Sequence, residues 1–310
     1  MKTTIIFITT VLFVTQVSFN SKEPANKAAL GEMLFSDPIL SRDRTISCAS
    51  CHKPAFAFAD TSAVSLGVRN KRGIRNTPTA MNISSQRVFF WDGRAKSLEE
   101  QALAPIVNPD EMDLSIAEAV QRLNADAGYR QYFRNIFNAP PNSTNLAIAI
   151  AAFERTLETS NSPFDNWKFS DDPKAVSDAA KRGFQLFNGK GKCVKCHFGP
   201  DLTTNEFRNI GLFNGKELND SGRAAISGDK IETGKFKTPG LRNVAITAPY
   251  MHNGMFKTLR EVIDFYNEPD KFVTKAKDRD TILAQPLGLS EEEKNDLLAF
   301  LRSLTDKRFN

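Results

Sequence analysis

All four cysteines and two of the three histidines of this 310-residue chain fall into two copies of one motif. The first is Cys48-Ala49-Ser50-Cys51-His52 and the second is Cys193-Val194-Lys195-Cys196-His197. C-x-x-C-H is the pattern of covalent c-type haem attachment. The two thiols add across the haem vinyl groups, and the adjacent His reaches the iron as proximal ligand. A four-cysteine zinc site needs no His after either pair, and a thioredoxin-like pair sits at a strand–helix junction, where neither of these does. The motifs predict two haem c groups, attached at Cys48, Cys51, Cys193 and Cys196 and ligated by His52 and His197.

The elements that must position these motifs repeat along the chain. Gly31-Glu32-Met33-Leu34-Phe35 precedes the first motif and Gly183-Phe184-Gln185-Leu186-Phe187 the second, both G-x-x-L-F on a short amphipathic helix. Downstream, Thr77-Pro78-Thr79-Ala80-Met81-Asn82 aligns with Thr238-Pro239-Gly240-Leu241-Arg242-Asn243. Trp91-Asp92-Gly93 aligns with His252-Asn253-Gly254, and Leu98 and Glu100 align with Leu259 and Glu261; each pair is 161 positions apart. The haem motifs are 145 apart, so the second half carries 16 extra residues, expected around residues 214–234. Two copies are too few for a solenoid, so the reading is a duplicated haem domain. Helical patterns cover residues 145–159, 115–123 and 129–137, and Ser290 to Glu293 forms a capping box before a closing helix. Ser162-Pro163 and residues 170–173 read as a linker. No alternating run longer than a few residues predicts a strand, and the fold class is mainly α.

The repeat also exposes an asymmetry. A catalytic haem needs an open face, whereas an electron-transfer haem usually has both faces filled. Tyr266, on the helix after Leu259, has Pro105 as its counterpart 161 positions earlier. A phenolate oxygen ligates iron and proline does not. The offset therefore predicts an open first haem and a second haem closed by Tyr266, with Tyr266 as an ordinary core residue the competing reading.

Lys2 and the apolar run over residues 3–17 read as a secretory signal spanning residues 1–20, or an uncleaved anchor, and place the body of the protein outside the cytoplasm, in the periplasm. The rest divides into an N-terminal domain, 21–165, and a C-terminal domain, 166–310. With 41 basic and 36 acidic residues spread along the chain, the charge carries no nucleic-acid signature.

These motifs resemble those of the bacterial di-haem cytochrome c peroxidases and the related MauG-type enzymes, from residue 29 to residue 304. The matching segments are the two C-x-x-C-H sites, Phe90-Trp91-Asp92-Gly93-Arg94, Glu100-Gln101-Ala102, Asn108-Pro109-Asp110-Glu111-Met112, Thr238-Pro239-Gly240-Leu241-Arg242-Asn243 and Thr247-Ala248-Pro249-Tyr250-Met251-His252. The resemblance implies two cytochrome c-like domains with a haem–haem interface. It implies a peroxidase that reduces hydrogen peroxide at the N-terminal haem with electrons from a small exported cytochrome c or copper protein, and a possible homodimer. Glu111 then matches the distal acid–base, Gln101 the second polar residue of the distal pocket, and Trp91 the tryptophan between the haems. Asn76, Thr247 and Pro249 match an inter-haem calcium site, through the Asn side chain and two backbone carbonyls. The position of the second haem's sixth ligand, Met in the peroxidases and Tyr in the MauG type, holds Tyr266, with Met255 and Met251 as alternatives.

Two departures bear on function. Many of these peroxidases block the first haem at rest with a loop His. Residues 53–76 contain none, and Val68 falls near that position, so a block would have to come from Lys71, Met81 or hydroxide. The MauG type carries a surface Trp before its second haem motif, where this chain has Lys190-Gly191-Lys192. The alternatives to peroxide reduction are a MauG-type oxidase acting on a protein or organic substrate and a non-catalytic di-haem electron carrier.

Overall fold

A computed structural model describes residues 23–309. The signal or anchor assigned to residues 1–20 lies outside the described residues. Among these, twelve α-helices carry the fold: α1 (Lys27–Ser36), α2 (Cys48–Cys51), α3 (Leu98–Val107), α4 (Ile116–Ala125), α5 (Ala127–Phe137), α6 (Ser143–Glu154), α7 (Pro163–Phe169), α8 (Asp178–Asn188), α9 (Ala224–Ser227), α10 (Leu259–Asn267), α11 (Pro269–Phe272) and α12 (Glu291–Arg302). The one sheet among them is a two-stranded antiparallel ribbon of β1 (Phe207–Arg208) and β2 (Phe236–Lys237). No helix in this range is long and apolar enough to cross a membrane.

Local chemistry sets the helix starts. Side chains of Asn26, Ser97, Ser115 and Ser177 each accept a backbone N–H in the first turn of the helix they precede, and Ser290 and Glu293 form the capping box of α12. Two helix pairs then build the cores. α1 packs on α6 and α8 on α12, and a glycine lets each pair approach. A Cβ on Gly31 would collide with the Ala149 carbonyl, and one on Gly183 with that of Asp296. One core is built from residues between Leu30 and Leu157, and a second from residues between Phe164 and Leu304.

The expected 145–159 helix stops at Glu154, with Arg155 as its C-cap and the Arg155 side chain paired with Glu99. The expected linker is also corrected. Ser162 caps α7, and Phe164 packs with Phe184 and Phe300 of the second core. A division at residue 165 therefore falls inside a helix, and the seam between the cores lies upstream, at residues 158–162.

The two halves make reciprocal contacts. The N–H of Asn76 donates to the His252 carbonyl (2.7 Å), and the N–H of Lys237 donates to the Trp91 carbonyl (2.8 Å). Asn76 and Lys237 are 161 positions apart, as are Trp91 and His252. Asn82 and Asn243, Phe90 and Met251, and Gly93 and Gly254 all adopt positive φ at the same offset. The bonds from Phe89 N–H to Ala95 O and from Tyr250 N–H to Phe256 O match likewise. These equivalences relate the two segments by a pseudo-two-fold axis.

Candidate active site

A cavity of about 620 Å³ opens in the first half. Cys48, Cys51 and His52 line it, together with Gln101, Pro105, Glu111, Trp91 and Asn76. The structure thus brings both distal candidates into the cavity that carries the first attachment motif.

The proximal histidines are prepared as ligands in the same way in both halves. His52 Nδ1 lies 3.0 Å from the Phe58 carbonyl and His197 Nδ1 lies 3.0 Å from the Leu202 carbonyl. A carbonyl only accepts, so Nδ1 carries the proton and Nε2 keeps a free lone pair, as a haem ligand requires. Burial holds both imidazoles neutral by pushing their pKa values down, that of His197 to about 4. Cys48 and Cys51 beside the His52 imidazole, on the wall of the cavity, fit covalent attachment of haem, and His197 repeats the imidazole–carbonyl contact in the second half.

Glu111 sits on a clamped loop. Its carbonyl accepts from Val68 N–H (2.8 Å), and a Cβ on Gly67 would collide with the carbonyls of Asp110 and Glu111. The Asn108 amide donates to Glu111 Oε1 at 2.7 Å. Burial raises the Glu111 pKa, while the Asn108 hydrogen bond and the Arg94 charge pull it back. Val68, at the position where a blocking His was sought, is fully buried and supports this loop. Lys71 donates to the Pro109 carbonyl (2.9 Å), and the Met81 sulfur accepts from Asn243 (3.6 Å), so each has a partner of its own.

Pro105 lies within α3, and Tyr266 lies at the matching position of α10, since both helices begin 161 residues apart. Burial raises the Tyr266 phenol pKa, and Tyr266 packs against the same core cluster as Cys193 of the second attachment motif. Met255 is on the surface and Met251 packs in a small third cluster with Leu212 and Phe265.

Trp91 Nε1 donates to the Asn76 carbonyl at 2.8 Å. Asn76 therefore links Trp91 of one half to His252 of the other. His252 is buried and stacked on Phe236, ring centroids 3.7 Å apart. Around them Arg75 bridges Asp92 of the first half and Asp220 of the second. The Asn76 side-chain amine donates to the carbonyls of Ser62 (3.2 Å) and Ala63 (3.3 Å), which commits the nitrogen and frees the oxygen as a donor to a cation. Among the described residues no group of three His, Cys, Asp or Glu could hold a metal. The free amide oxygen of Asn76 is the kind of neutral oxygen that calcium accepts as a ligand.

The sequence reading missed Glu154 and Lys237, both on the wall of the cavity. Nothing in the local pattern marks Glu154, at the end of an apolar helix. It is 5% exposed, its Oε2 has no hydrogen-bond partner, and burial drives its pKa up to about 8. A carboxyl raised in the folded state favours folding most below its unfolded pKa, and that advantage is lost as pH rises through about 8. We expect stability to fall by on the order of 4 kcal/mol between pH 4.5 and 8 from this group alone. Denaturant melts across that window should show the slope in the parent and a flatter profile in Glu154→Gln; identical profiles would refute it.

Comparison with known proteins places this geometry among relatives. The profile of the di-haem cytochrome c peroxidase family matches residues 25–173. The methylamine utilization protein MauG of Methylorubrum extorquens is 39% identical over 284 residues, covering 90% of this chain and 78% of that protein. The cytochrome c551 peroxidase of Nitrosomonas europaea is 35% identical over 286 residues, covering 91% and 81%. Among solved structures, a MauG-like protein associated with microbial copper homeostasis superposes with a TM-score of 0.84 at 33% identity, covering 94% of this chain and 93% of that one.

Proposed function

Because the chain belongs to the family of di-haem cytochrome c peroxidases and MauG, and so carries two haem c groups, we propose that it reduces hydrogen peroxide to water with electrons from a small redox protein. The observation that carries this reading is one cavity holding an attachment motif together with Gln101 and Glu111.

Haem c held by Cys48, Cys51 and His52 supplies the redox chemistry, an iron that exchanges electrons with peroxide. Glu111 does the proton work. Its carboxylate takes the proton from one peroxide oxygen and returns it to the other, which leaves as water. Asn108 holds Oε1, so the carboxyl cannot swing away between the two transfers. Gln101 offers an amide to orient peroxide. Trp91 lies on the path between the halves, its indole fixed by Asn76, and serves as the relay for two single-electron returns. His197 and Tyr266 would hold the second haem, and Asn76, Thr247 and Pro249 would hold calcium between the halves. A cytochrome c or copper protein in the periplasm fits as donor.

Tyr266 favours one second reading, a MauG-type oxidase acting on a protein or organic substrate. Lys190-Gly191-Lys192, in place of a surface Trp, weighs against that route.

The test is an optical and EPR record of the diferric protein before and after one equivalent of peroxide, with no reductant. A high-spin signal beside a low-spin one, with the high-spin signal lost on addition, is the expected result. Two low-spin haems inert to peroxide, before and after half-reduction, would overturn the peroxidase reading in favour of an electron carrier.

A further inference from the structure

Lys237 is a buried cation that the chemistry above does not use. It is 9% exposed and lines the first cavity, and its ammonium donates to the Gln86 side-chain oxygen and to the Val88 carbonyl (2.9 Å). Both partners are neutral oxygens. Desolvating an ammonium is costly, so what surrounds it in the protein is informative.

The pseudo-two-fold axis supplies one. The offset of 161 that relates Trp91 to His252 also relates Asn76 to Lys237, Gln86 to Thr247 and Val88 to Pro249. The three residues assigned to calcium are thus the mates of the three residues that meet at the Lys237 ammonium. The backbones agree in part, since Ala248-Pro249 is a cis peptide bond and its counterpart Arg87-Val88 is not. Gln86 N–H donates to Ile83 O (3.1 Å) and Thr247 N–H to Val244 O (3.5 Å), again one offset apart. The N–H groups of Asn76 and Lys237 make the reciprocal bonds across the axis. One difference is that Gln86 uses its side-chain oxygen, whereas Thr247 would use its carbonyl.

We infer that the Lys237 ammonium is a tethered cation occupying the symmetry mate of the Asn76–Thr247–Pro249 site. The inference rests on the calcium reading for what fills the other site, and on the observed Gln86 and Val88 contacts for its own. Each half then presents the same turn of oxygens to one positive charge. In one half that charge is exchangeable; in the other it is covalent and faces the first haem cavity. Burial lowers the Lys237 pKa only to about 8, so the group stays a cation at neutral pH.

The test is the calcium stoichiometry of the haem-loaded protein, measured by isothermal titration after chelator treatment. Lys237→Asn rebuilds the second site in the image of the first, with an Asn amide beside the carbonyls of Gln86 and Val88. The parent should bind one calcium and the variant two. Equal counts in parent and folded variant would overturn the inference. A parent that binds none and a variant that binds one would refute the Asn76 assignment and still support the role of Lys237. The reverse exchange covers the case in which Lys237→Asn does not fold. Asn76→Lys should bind one calcium fewer than the parent, and its haem spectra should no longer respond to chelator. An unchanged count in Asn76→Lys would overturn the equivalence of the two sites.

Discussion

Glu111→Gln lowers the rate of peroxide O–O cleavage by about two to four orders of magnitude, with both haem spectra unchanged. The amide keeps the shape of the carboxyl and accepts from Asn108, so the clamped loop is preserved. It cannot take up and return a proton, which is the only function removed. The parent should show the matching pH dependence. The carboxylate is the working base, and burial raises its pKa, so the cleavage rate falls as pH drops through a value above the ordinary glutamate range. Stopped-flow mixing with peroxide measures both effects. Near-normal cleavage in the variant would mean that Glu111 is a bystander, and Gln101 or ordered water would have to be examined in its place.

Arg242→Met should destabilise the protein by about 3–5 kcal/mol. Arg242 and Asp165 are 7% and 8% exposed and form an ion pair, and Arg242 also donates to the Pro200 carbonyl at 2.9 Å. Truncating the arginine leaves Asp165 buried with only the Ser162 N–H (3.0 Å) and hydroxyl (2.6 Å). The uncompensated charge dominates the loss. Asp165→Asn in the same chain should therefore recover most of it, because the amide oxygen keeps the Ser162 contacts and leaves no unpaired charge. Urea melts followed by haem absorbance test this. A loss below about 1 kcal/mol in the single variant would show that water reaches the pair, as at exposed ion pairs.

Much of the site was legible because the chemistry is carried by rare residues in fixed spacings. The two attachment motifs, and the equivalence of Pro105 with Tyr266, come from counting positions, and the helices keep those counts. Glu111 and Gln101 needed family resemblance, since an acidic residue in Asp110-Glu111-Met112-Asp113 looks like a solvated surface until Val68 and Asn108 are seen to hold it inward. Glu154 and Lys237 could not be seen as residues of the site. Their significance is burial, which depends on what the opposite segment brings against them. Lys237 did carry a latent signal, its offset from Asn76. The linker was misread because Ser-Pro serves equally as a turn and as the N-cap and first residue of a helix, and only the burial of Phe164 decides between them.

The exchanged bonds between Asn76 and His252 and between Lys237 and Trp91 have the form of an isologous interface, in which patch i of one body meets patch j of the other and the reverse. Such an interface is the kind two separate identical one-haem subunits make. Between identical copies, however, every change appears twice: a phenol that closes one iron closes both, and a lysine that fills one cation site fills both. Peptide linkage removes that constraint. With the halves joined, Pro105 can stay where Tyr266 sits, Asn76 where Lys237 sits and Trp91 where His252 sits, so that one scaffold can hold two centres with different surroundings.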